Sequence, residues 1–259
     1  MPIVVTHTLG RDDGGYINLG TLGPLGSQML SEAGKAYAFW IRTVDANNII
    51  PLCFNWFSYD PIGPAFSLFM LNGTWTTDYA PLANSVVTFC PTDNLSWAFH
   101  KDTGVNFNDE QYHHHVLTWT GLTSNKPTVL DYYIDGIRTT TAWTDFSDGA
   151  VSGLTDYQQD VYMGCSQKTV ANTLTDFASF RIADFRIYDR GLDANEIYQI
   201  YRLRGRDNVR RGLHSRYNFQ TTPNNTGYHG VPAILSQDNG IVPTFNNDSV
   251  LSGVRKKVM

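Results

Sequence analysis

Three consecutive histidines, His113-His114-His115, form the densest group of metal-competent side chains in the chain. A zinc centre needs about four ligands on converging vectors, while successive residues of a strand point to opposite faces. Only His113 and His115 can therefore converge, with Asp109 and Glu110 the nearest carboxylates in sequence. That falls short of a metal site, and the run reads as the opening of a β-strand. Glycoside hydrolysis would require two carboxyl groups flanking one bond. The three glutamates, Glu32, Glu110 and Glu196, lie far apart, and Asp131 and Asp135 have no glutamate partner. No Gly-Xaa-Ser-Xaa-Gly elbow or phosphate-cradling glycine loop occurs. The residue set points away from an enzyme.

Two groups could instead recognise a partner. Trp56, Tyr59, Trp75, Trp97 and Trp143 lie in or beside turn-rich segments, where aromatic rings can stack on sugars, whereas Trp40 and Trp119 fall in apolar runs and read as core. Arginines at 202, 204, 206, 210, 211 and 216 and the terminal Arg255-Lys256-Lys257 make the chain's end basic. They are not interleaved with stacking aromatics, which argues against nucleic acid and for ion pairs with a protein partner.

The elements that must hold these groups are short strands. Tyr16–Gly20, Ala36–Thr43, Ile49–Phe57, Ala65–Leu71, Val86–Phe89, Ser96–His100 and His113–Gly121 are strand-like runs separated by Gly, Pro, Asn and Asp. Val129–Ile134 leads into Asp135-Gly136, a type I′ hairpin signal, and Ile137–Ala142 returns. Val161–Gly164 follows. Phe180 and Ile182 share one strand face and Phe185 and Ile187 keep the period in a shifted phase, which predicts a bulge at Ala183-Asp184. Asp193 and Glu196 have the spacing of a capping box, Ile197, Ile200 and Tyr201 line one helical face, and Gly205 suits a left-handed stop. Glu196 is thereby assigned to the helix cap. Tyr217–Phe219 reads as an added edge strand, and Gln220–Asn247 as an arm ordered by contact.

The chain of 259 residues has 13% aromatic and 17% charged residues, a β-rich globular composition. Its net charge of −5 is split: residues 1–199 carry 10 Lys+Arg against 21 Asp+Glu, and residues 200–259 carry 9 against 3. An acidic body thus precedes a basic tail, which can lie on its own sandwich or dock on an acidic partner. Cys53, Cys90 and Cys165 lack zinc or disulfide spacing and read as buried free thiols. No signal-peptide pattern opens the chain and no apolar run reaches membrane-spanning length, so a reducing cytoplasm is the expected site of synthesis.

Tyr16–Gly20, Phe39–Thr43, His114–Gly121, Tyr133–Gly136 and Ile182–Tyr201, in that order, resemble the laminin G-like, concanavalin A-like jelly-roll domains over roughly residues 10–205. The resemblance implies an all-β, two-sheet antiparallel jelly-roll sandwich with one short C-terminal helix. It does not imply a function, since that fold hosts many. The expected division is a sandwich at 1–205 and a basic, loop-rich arm at 206–259. Calcium is the ion the resemblance suggests, but Asp12-Asp13 and Asp145–Asp148 lack the alternating spacing of a calcium loop, and no metal ligands are assigned. The glucanases of this fold place acidic residues at alternate positions of one strand, a pattern this chain lacks.

The arm and the missing signal are similar to small structural proteins of tailed bacteriophages. The expectation is therefore a non-enzymatic, homo-oligomeric virion protein decorating a capsid. Arg210, Arg211, Arg255, Lys256 and Lys257 would face the major capsid protein or another virion protein. The alternative is a carbohydrate-binding adhesin or fibre module that uses Trp56, Tyr59, Trp75 and Trp97 on host glycans. Neither reading involves nucleic acid or a membrane.

Overall fold

In chain order the computed structural model has strands β1 (Ile3–Val5), β2 (Gly15–Thr21), β3 (Lys35–Thr43), β4 (Ile49–Phe54), β5 (Ser67–Leu71), β6 (Ser85–Pro91) and β7 (Ser96–Asp102). Then come β8 (His113–Thr123), β9 (Lys126–Ile134), β10 (Ile137–Arg138), β11 (Thr144–Asp145), β12 (Asp160–Met163), β13 (Ser166–Lys168) and β14 (Thr173–Thr175). β15 (Phe180–Tyr188) leads to the helix α1 (Ala194–Leu203), and β16 (Leu213–Tyr217), β17 (Ile234–Gln237) and β18 (Thr244–Phe245) follow. The residues described are these elements together with 34, 103–107, 109–112, 135–136, 139–143, 164, 189–193, 204 and 206–212.

Every pairing is antiparallel. One sheet runs β10-β9-β8-β3-β15-β1-β18 with β16 also on β15; a second runs β11-β7-β6-β5-β4-β12-β2-β17; β13 and β14 form a ribbon. The strand-like runs of the sequence fall on these strands where they are described: Ile49–Phe57 over Ile49–Phe54, with 55–57 outside the described residues, Ile137–Ala142 reduced to Ile137–Arg138, and Tyr217–Phe219 only at Tyr217, the last residue of β16. Beyond residue 205, β16 pairs with β15, β17 with β2 and β18 with β1, so this segment supplies strands to both large sheets.

Strand β15 is buried on both faces, with Phe180, Ile182, Phe185 and Ile187 on one and Arg186 and Tyr188 on the other, and its register slips where the sequence phase slips. Ala183 faces Trp40 but Arg186 faces Ala38, leaving one extra residue at the bulge. Asp184 takes up the turn with φ +48. The same bulge divides the strand's far edge: β1 pairs with Phe180–Ile182 and β16 with Phe185–Tyr188.

Helix α1 begins as its sequence dictates. The Asp193 carboxylate accepts from the Glu196 N–H at 2.9 Å, and Glu196 reaches back to the Asp193 N–H. It ends one residue earlier than Gly205 would allow: Arg204 is the left-handed residue, with φ 47 and ψ 55, and its N–H closes on Ile200 and Tyr201 carbonyls. Gly205 itself lies outside the described residues. Ile197 and Ile200 bury against Ala36, Ala38, Val116, Tyr133, Tyr188, Leu192 and Val209. The two alanines of β3 let the helix approach the sheet, and each buried isoleucine contributes about 1.5–3 kcal/mol.

Candidate functional site

The His113–His115 run opens β8, and the strand alternation gives the three rings three different fates. His115 is buried, stacked on Phe39 at 5.6 Å, with Nδ1 2.9 Å from the Tyr132 hydroxyl. Burial and the neighbouring His113 charge hold it well below its ordinary value, so it is a neutral core ring. His114, on the opposite face, is wedged between Trp40 and Tyr201 at 5.1 and 6.1 Å. Neither of its ring nitrogens has a hydrogen-bond partner among the described residues. Burial first, and then the Arg186 charge, push it down to about 4.

His113 alone reaches the surface. Its Nδ1 lies 2.8 Å from Asp135 Oδ2 and its Nε2 3.0 Å from Asp109 Oδ1. Carboxylates on both ring nitrogens require both to donate, so the ring is an imidazolium. Burial opposes that charge, but the hydrogen bonds and charges of Asp135 and Asp109 outweigh it and hold His113 above its ordinary value. The two aspartates are in turn held low, burial being offset for Asp135 by His113 and the His114 N–H, and for Asp109 by the Gln111 N–H and His113.

This charged group stands at a corner built by the hairpin and the helix. Asp135 and Gly136 have φ 52 and 76, the two positive values a type I′ turn requires. A Cβ on Gly136 would press on Tyr201 at 3.0 Å and Tyr198 at 3.3 Å, and its φ of +76 is itself one that side chains rarely adopt, so glycine suits the close approach of α1 to the turn. Tyr198 stays 50% exposed and Ile137 73% exposed. The exposed Tyr198 ring thus lies on the α1 side of the turn, while Ile137 and the carboxylates held by His113 lie toward the opposite face of β8, with Asp135 in the turn joining the two.

The helix is tied down beyond its end by a buried ion network. Arg186, fully buried, donates to Asp207 at 2.8 and 2.7 Å and to Asp184 at 2.5 Å, and Asp184 also accepts from Arg216 at 2.7 Å. Although burial opposes the Arg186 charge, the aspartates raise its pKa and it remains a guanidinium. Arg216 thus pairs within its own chain. Arg190 grips Glu196 through two nitrogens at 2.7 and 2.5 Å, adding a second task to the capping glutamate.

Of the residues nominated from sequence, Arg210 and Arg211 are exposed just before β16. Trp97 lies on β7 opposite Cys90. Trp56, Tyr59, Trp75, Arg255, Lys256 and Lys257 lie outside the described residues, as do Asp12, Asp13, Asp148, Glu32 and Cys165. Trp40 and Trp119 are core, as read. Trp143 is half-buried, with the Lys101 ammonium 5.5 Å from its ring centre. Tyr198, Ile137 and the His113 clasp were not nominated as a binding surface. The Asp109-to-His113 spacing and the Asp135-Gly136 turn were visible, but only helix docking sets the tyrosines beside them.

No group of three or more His, Cys, Asp and Glu side chains able to hold a metal gathers among the described residues. Asp109 and Asp135 close on an imidazolium, which competes with any cation. A calcium ion thus finds no cage among these side chains.

No protein-family model and no curated protein sequence matches the chain. Solved structures do. A native heptameric SAP-like pentraxin from Limulus polyphemus aligns over 95% of this chain and 95% of its own, with 12% identity and a TM-score of 0.55. The shared fold is an antiparallel jelly-roll β-sandwich. A putative carbohydrate-binding protein from Bacteroides ovatus aligns more loosely, over 95% of this chain and 59% of its own, at 12% identity and TM-score 0.49. The receptor-binding domain of botulinum neurotoxin type G covers 66% of this chain and 38% of its own, at 14% identity and TM-score 0.40. At such identities the likeness describes architecture, and the chemistry must come from the side chains.

Proposed function

We propose that the chain is a non-enzymatic carbohydrate-binding module whose sugar contact is the corner of Tyr198, Ile137 and the Asp109–His113–Asp135 clasp. The carrying observation is an exposed ring packed over a hairpin turn whose Asp135 carboxylate is immobilised by His113. Sugars have an apolar face of C–H groups that stacks on an aromatic ring and a rim of hydroxyls that donates to fixed acceptors. Rigid acceptors lose little entropy on binding, which is what His113 secures on both sides.

The carboxylates also argue against hydrolysis. Every one among the described side chains is engaged: Asp131 by Arg138, Asp184 and Asp207 by Arg186, Asp189 by Lys35, Glu196 by Arg190, Asp109 and Asp135 by His113, Glu110 by Arg42 at 3.8 Å, and Asp193 by the helix N-terminus. A general acid and base need freedom to exchange protons with substrate. The pentraxin likeness favours a binding module over the capsid-decorating role. For the latter, the supporting observation is limited to the exposure of Arg210 and Arg211.

A glycan array followed by titration calorimetry tests the proposal. The expected result is saturable binding of at least one glycan, weakened about tenfold by Tyr198→Ala, the scale of one lost aromatic contact. Absence of any saturable glycan, or undiminished binding by a folded Tyr198→Ala protein, overturns it.

A further inference from the structure

Between α1 and β16 the chain runs as a rail whose alternate residues are nailed to the body. Asp207 and Val209 are buried, whereas Arg206, Asn208, Arg210 and Arg211 are exposed. Asp207 is clamped by Arg186 and accepts from the Val209 N–H at 3.1 Å. The Tyr188 hydroxyl donates to the Val209 carbonyl at 3.0 Å, and the Arg210 carbonyl accepts from the Leu213 N–H at 3.0 Å. The Arg211 carbonyl accepts from Arg190 Nε at 3.0 Å. This alternation puts Arg206, Asn208 and Arg210 on the exposed side of the segment. Arg211 continues the line toward the start of α1, where its charge helps to hold Glu196 low.

The guanidiniums of Arg206, Arg210 and Arg211 form no ion pair or hydrogen bond among the described residues, although Arg42, Arg138, Arg186, Arg190 and Arg216 all do. Like charges brought together on a fixed backbone repel one another, and a multivalent anion relieves that repulsion without ordering the protein further.

We propose that this arginine rail binds an acidic polysaccharide, a linear chain bearing sulfates or carboxylates. The planar guanidinium matches either group through paired hydrogen bonds. The rail's own composition selects among polyanions. Its exposed members are arginine, asparagine and glycine, and Val209 is turned inward, so there is no apolar anchor for a protein hot spot. It carries no aromatic on which unpaired bases could stack. A flexible acidic sugar chain needs neither. The surface is separate from the tyrosine corner and extends the carbohydrate reading to charged glycans, yet the two can fail independently.

The test uses the full chain on immobilised heparin, with the salt needed for elution and the affinity for a heparin octasaccharide as readouts. The wild type is expected to be retained above physiological salt despite a net charge of −5. The double variant Arg206→Gln/Arg210→Gln is expected to lose about tenfold or more in affinity, since charge-assisted contacts are the strong ones. Arg202→Gln removes an exposed arginine from the helix and, set against Arg210→Gln alone, controls for charge; it is expected to bind nearly as the wild type. Tyr198→Ala is expected to leave heparin binding intact, separating this surface from the corner. Failure of the wild type to be retained overturns the inference, as does equal loss from Arg202→Gln. Equal competition by single-stranded DNA of matched charge overturns the choice of a polysaccharide.

Discussion

The molecule uses one arrangement twice: a cation held between two carboxylates. At the core, Arg186 lies between Asp184 and Asp207; at the hairpin corner, His113 lies between Asp109 and Asp135. The first is buried and joins β15 to the segment after α1. The second is partly exposed, with 42% of the Asp109 side chain and 31% of the Asp135 side chain open to solvent. Burial turns the motif into a fastener, because a lone charge left inside costs several kcal/mol. Exposure and a titratable cation turn the same motif into a surface whose acceptors are fixed while histidine is charged.

The largest effect should come from breaking the buried copy. Asp207→Ala leaves Arg186 with one carboxylate and frees the rail from β15, and is expected to cost about 3–5 kcal/mol. Urea unfolding measures it; a loss below about 1 kcal/mol would show that the network is dispensable. Arg186→Met with Asp207→Leu should recover much of that loss, since an apolar replacement of the whole pair removes the stranded charge.

A smaller, pH-dependent effect belongs to the corner. Because the His113 pKa is raised on folding, its stabilisation is complete below the unfolded value near 6.5 and is lost as pH rises through the folded value. Asp109 and Asp135 are lowered, so their share is present above about 3.8 and is lost in acid. His114, with a folded value of about 4, has the opposite sign to its neighbour and destabilises the fold as pH falls from 6.5 toward 4. Unfolding midpoints of His113→Gln and His114→Phe across pH 4–9 should separate the two: the first loses the alkaline slope, and the second has a shallower acid slope, the remainder belonging to His115 and the two aspartates. Identical profiles for both variants would contradict the assigned charge states.

The smallest effect on stability is expected at the exposed ring. Tyr198→Ala should change unfolding free energy by no more than about 0.5–1 kcal/mol, as for surface positions without buried partners. A larger loss would mean that the ring serves the fold, and would remove the reason for reading it as a ligand contact.

Local grammar was readable wherever a few consecutive residues settle the outcome. The Asp135-Gly136 turn, the Asp193–Glu196 cap and the Ala183-Asp184 bulge depend on neighbours within a handful of positions, and all three occur where the residues place them. The helix stop was missed by one residue because Arg204 accepts the left-handed conformation usually left to glycine. The site was much less legible. Arg186 alternates with apolar neighbours in a strand, a pattern that sequence reads as solvent-facing, and its two carboxylates come from a bulge and from a segment 21 residues on. Tyr198 is one of many tyrosines until the helix is laid over Gly136, whereas the loop tryptophans are marked out by their turn-rich surroundings.

By itself, then, the sequence determined the longer strands, the hairpin and the cap, because period, turn chemistry and capping are short-range, while the class of sandwich came through the order of blocks that carries the resemblance. Only the tertiary structure decided which charges are buried and which rings stay open. Those outcomes depend on contacts between β8, β9, β15, α1 and the rail, and the energy of a charge is set by what surrounds it in space.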